Sequence, residues 1–168
     1  MASDPKMNEV VDGLKKDPAL WMQWFYDVIY WQVSSAVIDK LGKQGIEALR
    51  EGIRRYGVYR GERLREEHLE KGLELNVENL MNHYDLQTQY CLRRKRFVFT
   101  PEEMISEVYE CPHYDVWKAL GKLDVAVLYC EEFHPAMWCA YNPKMKLRMP
   151  KILTKGDGCC RFELKLDS

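Results

Sequence analysis

Residues 144–166, KMKLRMPKILTKGDGCCRFELKL, decide the fold class. In a strand, successive side chains point to opposite faces. After the Gly-Asp-Gly turn, Cys160, Phe162, Leu164 and Leu166 therefore share one face, and Cys159, Arg161, Glu163 and Lys165 the other. Before the turn, Met145, Leu147 and Met149 alternate in the same way, then the phase moves to Ile152 and Thr154. Pro150 marks that shift, as expected of a bulge or a sheet edge. The segment reads as a hairpin about Lys155–Gly158, with one apolar face and one charged face. Lys144, Lys146, Arg148, Lys151 and Lys155 make a basic edge of the kind that blocks sheet-to-sheet association, a reading preferred to nucleic-acid contact. The same holds for RRKR at 93–96.

Upstream, RFVFT (96–100) and ISEVYEC (105–111) read as two more strands joined by a turn at Pro101. PHYDVWKALG follows, with Pro112 suited to a first helical turn and Gly121 to its end. LDVAVLYCEEFHPAMWCAYNP reads as a helix over 123–141, bent at Pro135. Residues 1–90 read as helical. Asp17 caps a helix that begins at Pro18 and runs to Leu41, where Gly42 stops it. Its aromatic residues lie on several faces, which suits a central element or contact with a second copy in a homodimer. A second helix spans 44–71, with Leu49, Ile53, Tyr56 and Leu64 as its apolar stripe. Helices first, then strands with two interposed helices, predict an α+β fold with a small antiparallel sheet. One domain over 1–168 suffices: a mainly helical part, 1–90, and a mixed part, 91–168.

The composition excludes several functions. Lys plus Arg is 25 and Asp plus Glu is 26, a net charge of −1, so nothing global argues for nucleic acid or an anionic membrane. The most apolar stretch is interrupted by Gln23, Asp27, Gln32, Ser34 and Ser35, which argues against a membrane span. The N-terminus lacks a secretion pattern, so the six cysteines are expected as reduced thiols in the cytoplasm.

Three groups of residues can carry chemistry. On the helix over 123–141, Cys130, His134, Met137 and Tyr141 share a face. Histidine can take a proton from a thiol, Cys130 or Cys160, to make a nucleophilic thiolate. Alternatively, Cys130 and His134 begin a soft-metal site that Cys160 and Cys111 complete, and packing in a core is the third reading. Arg60 falls inside the apolar stripe of the second helix, beside Gly57 and Gly61. A guanidinium there can clamp a carboxylate or form an ion pair with an internal Asp or Glu. The two glycines leave room for a ligand or for a close-packed backbone. His68, one turn beyond Leu64, reads as a satisfied core histidine. Asp157 can serve a neighbouring base or merely shape the Gly-Asp-Gly turn.

KILTKGDGCCRF resembles the C-terminal signature of the L-2-amino-thiazoline-4-carboxylic acid hydrolase family. CEEFHPAMWCAYNP and YGVYRGERLREEH are similar to that family's preceding helix and its Arg-Gly helix. By position the resemblance matches Gly156, Asp157, Cys160, Arg161 and Phe162, then Cys130 and His134, then Arg60 and Gly61; Cys111 matches a cysteine after the second strand. It implies an enzyme that opens a small cyclic amidine-thioether with water, giving an N-carbamoyl amino acid. Cys160, His134, Asp157 and Cys130 are the catalytic candidates it implies, and Arg60 and Cys111 the substrate-binding ones. It calls for no cofactor, only a small-molecule substrate. Two other readings stand beside it: a non-catalytic small-molecule sensor of the vinyl-reductase type, and a protein binding a metal ion through Cys111, Cys130, His134 and Cys160.

Overall fold

Asp17 opens helix α1 (Pro18–Leu41), its carboxylate accepting the backbone N–H of Ala19 at 2.9 Å. Pro18 occupies the first turn, where a missing N–H costs nothing. Gly42, at φ 56°, ends the helix in a conformation that side chains disfavour. These features come from a computed structural model that describes residues 12–13, 15–85 and 93–167. The helical reading of 1–90 is met within that range, and Cys91 lies outside the described residues. The fully buried side chains of α1 are Asp27 and Ser34, both polar. Tyr26 and Tyr30 pack against the core from the same side. Met22, Phe25, Ile29 and Val33 form an exposed stripe elsewhere on the helix.

Helix α2 (Lys43–Glu70) buries Ile53, Gly57, Arg60, Gly61, Leu64 and His68. Of the expected stripe, Ile53 and Leu64 are buried and Leu49 is half-buried, but Tyr56 is exposed, because the buried face runs through Gly57, Arg60 and Gly61 against α5. Helix α3 is short (Val77–Asn82), capped by the Asn76 side chain on the N–H of Asn79 at 2.8 Å. His68 is satisfied in the core as expected. Its Nε2–H donates to the His83 carbonyl at 3.1 Å, so its Nδ1 accepts the Tyr141 hydroxyl at 2.8 Å.

Strands β1 (Arg94–Phe99), β2 (Glu103–Val108), β3 (Met145–Lys151) and β4 (Cys160–Leu166) make one antiparallel sheet in the order β1-β2-β4-β3. Helices α4 (Pro112–Ala119) and α5 (Leu123–Tyr141) are interposed, so the fold is α+β. β1 and β2 begin two residues earlier than the sequence suggests. The Thr100 hydroxyl accepts the N–H of Glu103 at 3.0 Å and tightens the turn. Pairing with β4 then runs from Glu103 opposite Lys165 to Val108 opposite Cys160. β3 is an edge strand, and its register with β4 shifts between Arg148 and Lys151, around Pro150.

The layer over the sheet is set by the α2–α5 contact. A Cβ on Gly57 would come within 2.8 Å of the Phe133 carbonyl oxygen, and one on Gly61 would fall on the Met137 carbonyl oxygen. The two glycines therefore serve close backbone packing. α5 runs continuously through Pro135, which is exposed and leaves the Glu131 carbonyl without its helical donor. Arg50 of α2 bonds Glu131 at 2.8 Å and Glu132 at 2.5 Å, and Lys155 reaches Glu131 at 2.6 Å. Among the described residues, no helix is long and apolar enough to cross a membrane.

Candidate functional site

Between the sheet and α5 lies a cavity of about 110 Å³. A water needs roughly 10–15 Å³ of such space, so the volume suits a small organic molecule rather than a nucleotide-sized one. The sheet wall follows from strand alternation: Ser106 and Val108 of β2 face the cavity, opposite Phe162 and Cys160 of β4. α5 supplies Tyr129, Cys130, Phe133, His134 and Trp138, which lie on one helical face. Arg60 comes from α2, Arg94 from β1, and Cys111 and His113 from the start of α4.

The structure thus brings Cys160, His134, Cys130, Arg60 and Cys111 to one cavity. Asp157 sits apart. Its Oδ2 accepts the N–H of Ile152 at 2.7 Å and shapes the turn, and it is absent from the lining. Cys159 faces away from the cavity; it is as buried as Cys160, but its neighbours are charged side chains such as Glu107 and Lys151. Cys111, Cys130, His134 and Cys160 share the lining of one cavity. Among the described residues, no group of three or more His, Cys, Asp or Glu is placed to hold a metal ion.

Each candidate is shaped by its surroundings. Arg60 is clamped by Asp85, whose carboxylate accepts Nε–H at 2.9 Å and Nη2–H at 2.5 Å. Its guanidinium also lies 5.0 Å from the Phe133 ring centroid. The internal ion pair is thus the alternative realised, with the charge of Arg60 already answered. His134 is packed among the rings of Phe133, Trp138 and Phe162, with centroids at 5.2, 5.4 and 5.2 Å. Burial, with the positive charges of Arg60 and Arg94 nearby, pushes it down to about 3. It is a neutral imidazole at physiological pH, too weak a base to take a proton from a thiol. Burial likewise pushes the Cys130 thiol up to about 12, so it stays protonated. The Cys160 sulfur accepts the N–H of Leu153 at 3.3 Å.

A second histidine has the opposite equipment. His113 Nδ1–H donates to Asp27 Oδ1 at 2.7 Å, and Trp117 stacks on its ring at 5.4 Å. Asp27 is fully buried, and burial pushes its carboxyl above the ordinary range while His113 pulls it back. The bond fixes the tautomer and leaves Nε2 as the second ring nitrogen of a cavity-lining imidazole. Buried carboxylate, oriented imidazole and reaction space are the parts of a general base. Sequence reasoning passed over His113, and noted Asp27 only as an interruption. A charged residue in the middle of an aromatic-rich helix was the available signal. Arg94 and Ser106 were also passed over: one was hidden in a basic run, the other is the polar member of an inward-facing Met104-Ser106-Val108 row.

Compared with known families, the chain matches the L-2-amino-thiazoline-4-carboxylic acid hydrolase model over residues 21–164. The chain belongs to the L-2-amino-thiazoline-4-carboxylic acid hydrolase family. The match runs from α1 into β4, so Asp27, His113 and every cavity-lining residue fall within the hydrolase-family segment. No curated protein matches the chain.

Proposed function

We propose that the protein is a hydrolase that opens a small carboxylate-bearing ring at the carbon between nitrogen and sulfur, as in 2-aminothiazoline-4-carboxylate. The observation that carries this reading is the Asp27–His113 pair beside a cavity sized for such a ring. His113 takes a proton from water as the water oxygen bonds to the ring carbon. The carbon–nitrogen double bond opens as the oxygen adds, and the ring nitrogen takes the second proton of the water as the carbonyl forms. The carbon–sulfur bond then breaks, and the sulfur leaves with the proton that His113 returns. The product is an N-carbamoyl amino acid with a free thiol. Asp27 holds the imidazole in the productive tautomer and stabilises it when protonated. The apolar rings of Tyr129, Phe133 and Trp138 keep bulk water away from the reacting carbon.

A covalent route is the second reading, and one observation favours it. The Leu153 N–H that points at the Cys160 sulfur would stabilise a thiolate there. Cys160 would then attack the ring carbon, and water activated by His113 would release the product. The apolar share of the lining suits a vinyl-reductase-type sensor instead, but such a domain gives the Asp27–His113 pair no task.

Incubation with 2-aminothiazoline-4-carboxylate in ¹⁸O-labelled water tests the proposal. Mass spectrometry should find one labelled oxygen in the carbamoyl group of the product. Ring binding without any opened product would overturn the hydrolase reading in favour of a sensor. Loss of turnover in Cys160→Ala, with a substrate adduct on wild-type Cys160, would select the covalent route over direct attack by water.

A further inference from the structure

Arg60, the guanidinium that the sequence offers for a substrate carboxylate, is occupied by Asp85. Arg94 is not. Among the described residues it makes no ion pair with a carboxylate, and its Nε is buried without a hydrogen-bond partner. The Ser106 hydroxyl is in the same condition. The residue is 1% exposed, and its Oγ has no partner among the described residues. A buried polar atom left unsatisfied is costly, and His134 Nδ1 and Trp138 Nε1 on the same lining share the condition, so the cavity calls for a polar ligand; Arg94 Nε–H and the Ser106 hydroxyl are the donors that the sheet contributes.

The sheet register places them together. Arg94 pairs with Val108, and Ser106 lies two residues before Val108 on the same face of β2. Diagonal neighbours on adjacent strands stand about 7–8 Å apart at the backbone, within reach of a long arginine side chain. Both line the cavity. Among the described residues no carboxylate pairs with Arg94. Arg96, two residues along the same strand, is held below the usual arginine range by burial and by Arg94. The field of Arg94 also contributes to the lowering of His134.

We infer that Arg94 and Ser106 form the anion subsite of the cavity, taking the carboxylate of a small ring substrate, while Arg60 serves the fold through Asp85. The Arg94 Nε–H and the Ser106 hydroxyl donate to the carboxylate oxygens, and the guanidinium charge balances the anion. The subsite would orient the ring from the sheet side and leave its other face to His113. This inference rests on the reading of the cavity as the substrate site, but not on any turnover.

The test is binding of L-thiazolidine-4-carboxylate, a saturated ring without the amidine, and of its neutral carboxamide. Isothermal titration calorimetry on the full chain should show the carboxylate bound more tightly than the amide. Arg94→Gln should weaken the carboxylate by about tenfold to a hundredfold, the range of charge-assisted hydrogen bonds, and leave the amide unchanged. Ser106→Ala should weaken it less, in the same direction, and Arg94→Lys should recover part of the loss. Should Arg94→Gln fail to fold, Ser106→Ala and Arg94→Lys carry the test. Equal affinity of the wild type for acid and amide, no binding of the acid, or wild-type affinity in Arg94→Gln would overturn the inference. A protein that binds the acid through Arg94 and opens no ring keeps this subsite and loses the hydrolase reading. One that opens the ring while Arg94→Gln leaves KM untouched keeps the reading and loses the subsite.

Discussion

His134 and His113 line one cavity and differ in everything that decides a histidine's chemistry. His134 is ringed by aromatic side chains and positive charges, with its Nδ1 unpartnered among the described residues. His113 has a buried carboxylate at 2.7 Å. The first has a consequence for stability. Its folded value of about 3 lies below the ordinary 6.5, so between those values the unfolded chain binds the extra proton and the folded one does not. Stability from this group is therefore present above about pH 6.5 and is lost as pH falls toward 3, by about 1.4 kcal/mol per pH unit. Chemical denaturation from pH 7 to 4 should show a shallower acid loss in His134→Phe than in the wild type. Parallel curves would mean that His134 protonates in the folded state. The sequence shows Cys130 and His134 on one helical face, and that arrangement is present. It does not show the ring packing that disarms the imidazole, because those partners come from β4 as well as α5. The Asp27–His113 bond spans 86 positions, and no local pattern announces it.

At the scale of elements, helix ends and helix faces are local matters and were legible. Asp17, Pro18 and Gly42 bound α1 by capping chemistry that the chain carries at those positions. The buried stripe of α2 follows its 3.6-residue period, with Arg60 and His68 included. The glycines in that stripe left two readings open, and the distance to α5 chooses between them. Gly61→Ala should force the two helices apart and destabilise the protein by roughly 3 kcal/mol, in the range of overpacking. Gly52→Ala, on the same helix with nothing within 4 Å, should be neutral or stabilising by up to about 1 kcal/mol. Equal thermal shifts for the two variants would refute close packing as the reason for Gly61. The strands were legible in their alternation and in the phase shift at Pro150, less so in their ends. Those ends depend on the Thr100 turn and on pairing across to β4.

At the scale of the molecule, the site is a product of topology. The order β1-β2-β4-β3 puts the C-terminal strand in the middle, so Cys160 and Phe162 face the cavity beside Ser106 and Val108. Helix α4, between β2 and α5 in the chain, carries His113 to the same space and lets the first helix reach it with Asp27. None of that order is written in composition or periodicity, which is why the sequence named the thiols and passed over His113. The central claim is that His113, backed by Asp27, is the proton acceptor of the cavity. Steady-state kinetics of 2-aminothiazoline-4-carboxylate opening by His113→Gln and His134→Gln, both checked for folding, test it most directly. The account predicts a loss of about a hundredfold or more in kcat for His113→Gln, exceeding that of His134→Gln. Wild-type kcat in His113→Gln, with the hundredfold loss in His134→Gln instead, would contradict it.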